Sequence, residues 1–170
     1  MILGMSVPTF TLVHVIISLV AIATGVVVTI GMVNNHRLAG WTGVFLLTTV
    51  LTSVTGFLFP LTKIGPPHIF GAISLLVLVP TLLGWYQFHL AGGWRQAFVL
   101  GSLFTLYLNV VVLIVQSFQK IPFLNPLAPT QSSEPAFAGT QGVVLVLFVL
   151  AGIRAIKRFH PMAPLRTAVA

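Results

Sequence analysis

Two amide side chains stand inside an apolar stretch of the sequence, LNVVVLIVQSF. They are Asn109 and Gln116, seven residues apart, so both lie on one face if the stretch is helical. Amides donate and accept hydrogen bonds without carrying charge. In hydrocarbon such groups need partners, on a neighbouring helix or on a bound molecule.

Three more polar side chains are expected at a similar depth. His14 lies about six residues inside the first apolar run, His68 opens the third run, and Gln141 opens the fifth. Together with the two amides they are expected to converge on one half of a helix bundle. A polar cluster confined to one half is typical of a ligand site, and ionisable groups at membrane depth are functional candidates.

The chemistry that these five residues could support is narrow. Histidines on two helices could ligate the iron of a haem b, with His14 and His68 as the candidates. By the helical rise, His14 lies ~9 Å deeper than His68, a mismatch that only tilt or a kink would reduce. A quinone-like ligand does not need two facing histidines, and an apolar slot with one or two hydrogen-bond donors is enough to bind it.

Acid–base and thiol chemistry have almost no residues to draw on. The chain contains one acidic residue, Glu134, and no cysteine. Paired-carboxylate catalysis, carboxylate-bridged metal pairs and thiol chemistry are therefore excluded. The sequence also has no Walker loop, no Rossmann glycine pattern and no zinc motif. Whether the protein has any catalytic activity stays open.

The elements that would position these residues follow from the composition. The chain is 57% apolar and 5% charged, against about 25% charged residues in a typical soluble domain. Its apolar runs approach or exceed the ~20 residues that cross a bilayer. We predict an all-α polytopic membrane protein, a five-transmembrane-helix bundle forming a single integral membrane domain over residues 1–170. The predicted spans are about 8–33, 40–59, 66–90, 94–118 and 138–158, with a long outer loop at 119–137.

The basic residues predict which way the bundle faces. With the N-terminus out and the C-terminus in, six of them lie inside and only Lys63 and Lys120 lie outside, which agrees with the positive-inside rule. The six are Arg37, Arg95, Arg154, Lys157, Arg158 and Arg166. We expect a multi-pass protein of the bacterial inner membrane. The charges stand singly at span ends, apart from a C-terminal cluster, so a nucleic-acid partner is rejected.

A structural interpretation competes with the ligand site. The amides could simply bond neighbouring helices, each such bond contributing about 0.6 kcal/mol on average. The same holds for the small and hydroxyl residues that recur along each span. On that hypothesis the protein is a structural or assembly subunit, and its partners are the bilayer and a membrane protein or a second copy of the chain.

Four segments carry a resemblance to known proteins: HVIISLVAIATGVVV, TTVLTSVTGFLFP, LYLNVVVLIVQSFQKIP and LAPTQSSEPAF. They resemble a family of short, uncharacterised multi-span inner-membrane proteins of bacteria, a resemblance that covers most of the chain and implies a location but no activity. The chain is also faintly similar to small cytochrome b-type membrane proteins, which implies haem held between His14 and His68.

Overall fold

The computed structural model describes residues 1–59, 66–128 and 134–161. Three features used for the sequence predictions lie outside these residues: Lys63, Arg166 and the loop segment 129–133. The described residues form helices and turns, with one isolated backbone bridge between Ile2 and Met5 ahead of the first helix.

Five long α-helices make up the described part of the chain, and all five are long and apolar enough to cross a membrane. They are α1 (Val7–Val33), α2 (Ala39–Phe57), α3 (Pro66–Leu82), α4 (Gly93–Lys120) and α5 (Pro135–Arg158). The predicted all-helical class and the number of such helices are confirmed for these residues.

The helix ends differ from the predicted ones by a few residues, for local reasons. The side-chain oxygen of Ser6 accepts a hydrogen bond from Thr9 N at 3.3 Å and so caps α1. Helix α5 begins three residues early because Pro135 occupies its first turn, where a missing N–H leaves no bond unmade. Helix α4 continues two residues further than predicted, to Lys120, whose charge is favourable in a last turn.

Helix α3 changes its winding before it ends. Pro80 lies inside it and lacks the N–H of a regular helical bond. The α-helix stops at Leu82, and residues 83–87 form a π-helical turn in which Phe88 N donates to Leu83 O at 2.9 Å. The sequence predicted a span to about residue 90 in which Pro80 produces a kink or frees a carbonyl group. The π turn itself was not predicted, because it has no signature in apolar periodicity.

The helices pack in a ring of four with the fifth outside it. Helix α2 lies against α1 and α3, α4 lies against α3 and α1, and α5 covers the outer sides of α1 and α4. The two ends of the bundle are named here by one residue each. The Lys120 end holds the start of α1 and the end of α4, and the Arg95 end holds the start of α4 and the end of α5.

The hydrophobic core fills only the Arg95 half of the bundle. All five helices contribute buried side chains to it, among them Met32, Phe45, Leu78, Phe98 and Phe159. The side chains of Leu106 and Phe45 pack directly on Gly25 at the upper limit of this core, since a Cβ on Gly25 would lie 2.6 Å from Leu106 Cδ1. Beyond that level, toward the Lys120 end, the four ring helices line a cavity.

Two contacts fasten the chain at the Arg95 end. The guanidinium of Arg95 donates from Nη1 to the carbonyl oxygens of Ile156 and Phe159, both at 2.9 Å, and so caps the last turn of α5. The backbone N–H of His160 donates to Asn35 Oδ1 at 2.8 Å. These bonds hold α5 against the ring although few of its side chains are buried.

The described part of the α4–α5 connection packs less than its apolar residues suggest. Phe123 is 78% exposed and Leu127 50%. Ala128 is buried, Phe137 packs edge-on against Phe118, and Ile121 lines the cavity. From the sequence, this segment is either a linker or a lid over one mouth of the bundle, and its apolar residues favour packing. The described part touches the cavity mouth at Ile121, and the expected packing is wrong for Phe123 and Leu127.

Candidate functional site

The cavity in the Lys120 half has a volume of about 530 Å³, within the range typical of small-molecule sites. Its walls come from α1, α2, α3 and α4, and most of their exposed surface is apolar, with side chains such as Ile22, Phe57, Leu108 and Val112 among polar ones. Helix α5 contributes no lining residue. The cavity thus lies inside the ring of four helices, with the hydrophobic core beneath it.

Four of the five predicted site residues line this cavity. His14 reaches it from α1, His68 from α3, and Asn109 and Gln116 from α4. Gln141 does not, because α5 packs on the outer sides of α1 and α4 and its first turns face away from the ring interior. The predicted convergence therefore holds for four residues in space, and the grouping of Gln141 with them is wrong. Ligand binding by any of them stays a prediction.

His14 is held by a neighbouring helix. Its Nδ1 lies 2.8 Å from Thr55 Oγ1 on α2. The ring of Phe59 packs edge-on against the imidazole at a centroid distance of 5.3 Å, and Phe10 packs in turn against Phe59. The imidazole therefore has one orientation fixed by a hydrogen bond and an aromatic neighbour, which a catalytic or binding histidine needs.

The hydroxyl groups around the cavity mostly bond within their own helices. Ser18 donates to the carbonyl oxygen of His14, and Ser53 donates to that of Thr49. Thr24, Thr49, Thr81 and Thr105 do the same elsewhere in the bundle. These hydroxyl side chains face the bundle interior, but few of them bond a neighbouring helix. A hydroxyl that already donates to the carbonyl oxygen four residues back needs no partner across an interface.

Three buried polar atoms of the cavity wall have no hydrogen-bond partner within the described residues: Asn109 Nδ2, Gln116 Oε1 and Thr52 Oγ1. The two amide atoms therefore do not bond a neighbouring helix, contrary to the structural interpretation of these residues. An unmade hydrogen bond at a buried polar atom costs about 1–3 kcal/mol. Within the described residues Arg37 Nε, Ser102 Oγ and Gln141 Oε1 also lack partners, away from the cavity. The three wall atoms differ in bordering a ligand-sized space, where a bound molecule could supply the missing bonds.

Within the described residues, the cavity has a charged side chain only at its mouth. Among the described lining residues Lys120 is the one that carries a charge, and it lies exposed in the last turn of α4. No carboxylate lines the described walls. The site therefore combines an apolar body, neutral hydrogen-bonding groups and one cation at the mouth, which disfavours a cationic ligand.

Two residues of the site went unnoticed in the sequence. Thr55 is one of several hydroxyl residues of α2, and nothing in the local sequence marks it as the partner of His14. Lys120 follows Gln116 by four residues and so shares its helix face. That spacing would have placed Lys120 at the site, had α4 not been predicted to end at residue 118.

The described residues bring few metal-binding side chains together. No group of three or more His, Cys, Asp or Glu side chains lies close enough to hold an ion within the described residues. His14 and His68 do line the same cavity, from helices α1 and α3. His14 and His68 are the residues that would hold a haem iron, since imidazole is one of its protein ligands.

The fold and the cavity together define a class: a small helical bundle with apolar helices of spanning length and a ligand-sized pocket between four of them. No protein-family model, no curated protein and no solved structure matches the chain. Its function is therefore argued from the site alone.

Proposed function

We propose that this protein is a multi-pass membrane protein that binds a lipid-soluble molecule with an uncharged, quinone-like polar head in the cavity of the Lys120 half. The observation that carries the proposal is the pair of buried, unpartnered amide atoms on α4, Asn109 Nδ2 and Gln116 Oε1. Together they offer one donor and one acceptor inside a mostly apolar pocket, which is the complement of a polar head on a hydrocarbon body.

The residues divide the work of binding by position. The apolar side chains of α1 and α4 contact the body of the ligand, and the amides of α4 fix its head by hydrogen bonds. The assignment of oxygen and nitrogen in each amide can be exchanged by a half-turn of the group. Each amide carries one donor and one acceptor in either assignment, so both kinds of group stay on this face of α4.

Extraction of the purified protein tests the proposal. Detergent-purified wild type is extracted with organic solvent, and the extract is analysed by mass spectrometry for a molecule near one-to-one stoichiometry. The double variant Asn109→Leu, Gln116→Leu keeps the shape of the Asn109 side chain, shortens that of Gln116 by one atom, and removes the polar atoms of both. We expect its affinity for the molecule to fall at least about fivefold, because two buried hydrogen bonds are worth roughly 1–3 kcal/mol together.

The matched control is Gln96→Leu, which lies on the same helix at the Arg95 end and is exposed. It should retain the wild-type amount. A wild-type extract with no such molecule, or equal amounts in all three proteins, would contradict the proposal and favour a structural or assembly subunit.

Haem b is the second candidate, and the shared cavity of His14 and His68 favours it. The hydrogen bond from His14 to Thr55 is of the kind that orients a ligating imidazole. A bound haem would supply electron-transfer chemistry at the site. The absorbance spectrum decides: a Soret band lost in both His14→Ala and His68→Ala supports haem, and a colourless wild type excludes it from the purified protein.

We also propose that the Lys120 end faces outward and the Arg95 end faces the cytoplasm of a bacterial inner membrane. The basic residues of the described chain support this, since Arg37, Arg95, Arg154, Lys157 and Arg158 all lie toward the Arg95 end. The cavity would then open toward the outside.

Cysteine labelling checks this orientation, because the chain has no cysteine of its own. Phe123→Cys lies exposed beyond the Lys120 end, and Ala91→Cys lies exposed at the Arg95 end. An impermeant maleimide added to spheroplasts should label the first at least about tenfold faster than the second. Faster labelling of Ala91→Cys would reverse the orientation and the side on which the cavity opens.

A further inference from the structure

The tautomer of His14 determines which head groups can form a hydrogen bond with its imidazole. Resting on the proposed function, we infer that the bound head group carries a hydroxyl that donates to His14 Nε2, so that the cavity binds a hydroquinone in preference to the corresponding quinone. The inference comes from counting protons along one chain of contacts, from Leu51 through Thr55 to His14.

The hydroxyl proton of Thr55 is already used in a hydrogen bond within α2. Its Oγ1 lies 2.6 Å from the carbonyl oxygen of Leu51, four residues back in α2. Two oxygens that close, with no hydrogen between them, would repel each other, so the single hydroxyl proton of Thr55 must point at Leu51. Thr55 can therefore only accept in its second contact, the one with His14.

The contact of 2.8 Å between Thr55 Oγ1 and His14 Nδ1 then requires a hydrogen on Nδ1. A neutral imidazole carries one N–H, so its Nε2 is left with a lone pair and acts as an acceptor. This tautomer is fixed by the neighbouring helix, as the partner of one ring nitrogen fixes the role of the other.

The accepting nitrogen, Nε2, is on the part of the ring that is turned toward the cavity. Thr55 is not a lining residue, so Nδ1 is directed at α2, whereas His14 itself lines the cavity. The Cε1 atom between the two nitrogens lies 3.8 Å from where a Cβ on Gly56 would stand, and Gly56 is itself a lining residue of the cavity. The imidazole of His14 makes no other hydrogen bond within the described residues.

The rest of the wall agrees with a hydroxyl-bearing head. Gln116 Oε1 is a second buried acceptor, and Asn109 Nδ2 is a buried donor. A hydroquinone has two hydroxyls, which both donate and accept, and it can satisfy all three positions. The carbonyl oxygens of a quinone accept only, and they would leave the histidine nitrogen unpaired at a cost in affinity.

Binding of three matched probes tests the inference. They are an alkyl hydroquinone, its dimethyl ether and the corresponding quinone, titrated anaerobically by calorimetry into detergent-purified wild type that has been washed free of any co-purified lipid-soluble molecule. The hydroquinone should bind at least about fivefold tighter than either of the others, the factor given by roughly 1 kcal/mol, the lower end of the cost of an unpaired buried acceptor.

Thr55→Val removes the acceptor for Nδ1–H with little change in shape and frees the imidazole to adopt the other tautomer. The hydroquinone preference should then fall below about threefold, because His14 can present a donor instead. The matched control is Thr48→Val on the same helix, whose hydroxyl bonds only its own helix and lies outside the cavity lining. It should keep the wild-type preference.

Nitrogen-15 NMR of histidine-labelled protein reads the tautomer without any ligand, with the His14 signal assigned by its loss in His14→Gln. Hydrogen on Nδ1 supports the inference, and hydrogen on Nε2 in wild type overturns it. Equal affinities for the three probes overturn the inference and leave the proposed function standing. Failure of all three probes to bind overturns both.

Discussion

Phe98→Ala is expected to lower the free energy of unfolding by about 3–5 kcal/mol, the usual effect of removing a buried phenylalanine ring. Phe98 is 0% exposed. Its ring stacks on Trp85 at a centroid distance of 4.8 Å and lies 6.2 Å from the ring of Phe159. It therefore joins α3, α4 and the end of α5 in the core that supports the cavity from below.

The measurement is equilibrium unfolding in mixed detergent micelles with increasing denaturing detergent. Phe104→Ala is the matched control, since Phe104 lies on the same helix but is 42% exposed. A change of about 0.5 kcal/mol or less is expected there, because surface substitutions seldom cost more. Equal effects of the two variants would show that the Arg95 half does not form the core described above.

Gly101→Leu is expected to cost about 3 kcal/mol or more, because no room exists for a side chain between α3 and α4. A Cβ at this position would overlap Thr81 Oγ1 and would lie 3.4 Å from Val77 Cγ1. The Thr81 hydroxyl cannot move away freely, since it donates to the carbonyl oxygen of Val77 at 2.7 Å. The two helices would have to separate.

Gly142→Leu on α5 is the control, because a Cβ there meets no atom within 4 Å. It should be neutral or slightly stabilising, as a leucine in a helix is favoured over glycine by roughly 0.5–1 kcal/mol. The cause is assigned by the pair Gly101→Ala and Thr81→Ala. The double variant should lose less stability than the sum of the single ones, and strict additivity would contradict the close contact.

Hydropathy alone predicted the coarse architecture, since a helix must be apolar over about 20 residues to cross hydrocarbon. The five helices lie within a few residues of the predicted spans. The π turn at residues 83–87 and the capping of α5 by Arg95 were not predicted. Both depend on how helix ends meet in space, which a pattern of apolar residues along one segment does not encode.

The candidate site was predicted in part, and for a physical reason. Residues that share a depth and avoid lipid must face the bundle interior, which brought His14, His68, Asn109 and Gln116 to one cavity. Gln141 shares that depth but lies on α5, and the order in which helices pack around the ring is not written in their periodicity. The same limit hid Thr55, whose role depends on which helix faces His14.

The central claim, that a lipid-soluble molecule binds inside the ring of four helices, is tested most directly by photoaffinity labelling in membranes. The probe is an alkyl hydroquinone with a diazirine on its tail, and the labelled sites are mapped by peptide mass spectrometry. We predict labelling of the cavity-facing segments at residues 11–22 and 108–117, reduced at least about tenfold in Asn109→Leu, Gln116→Leu. Labelling confined to the outward face of α5, and equal in both proteins, would contradict the claim.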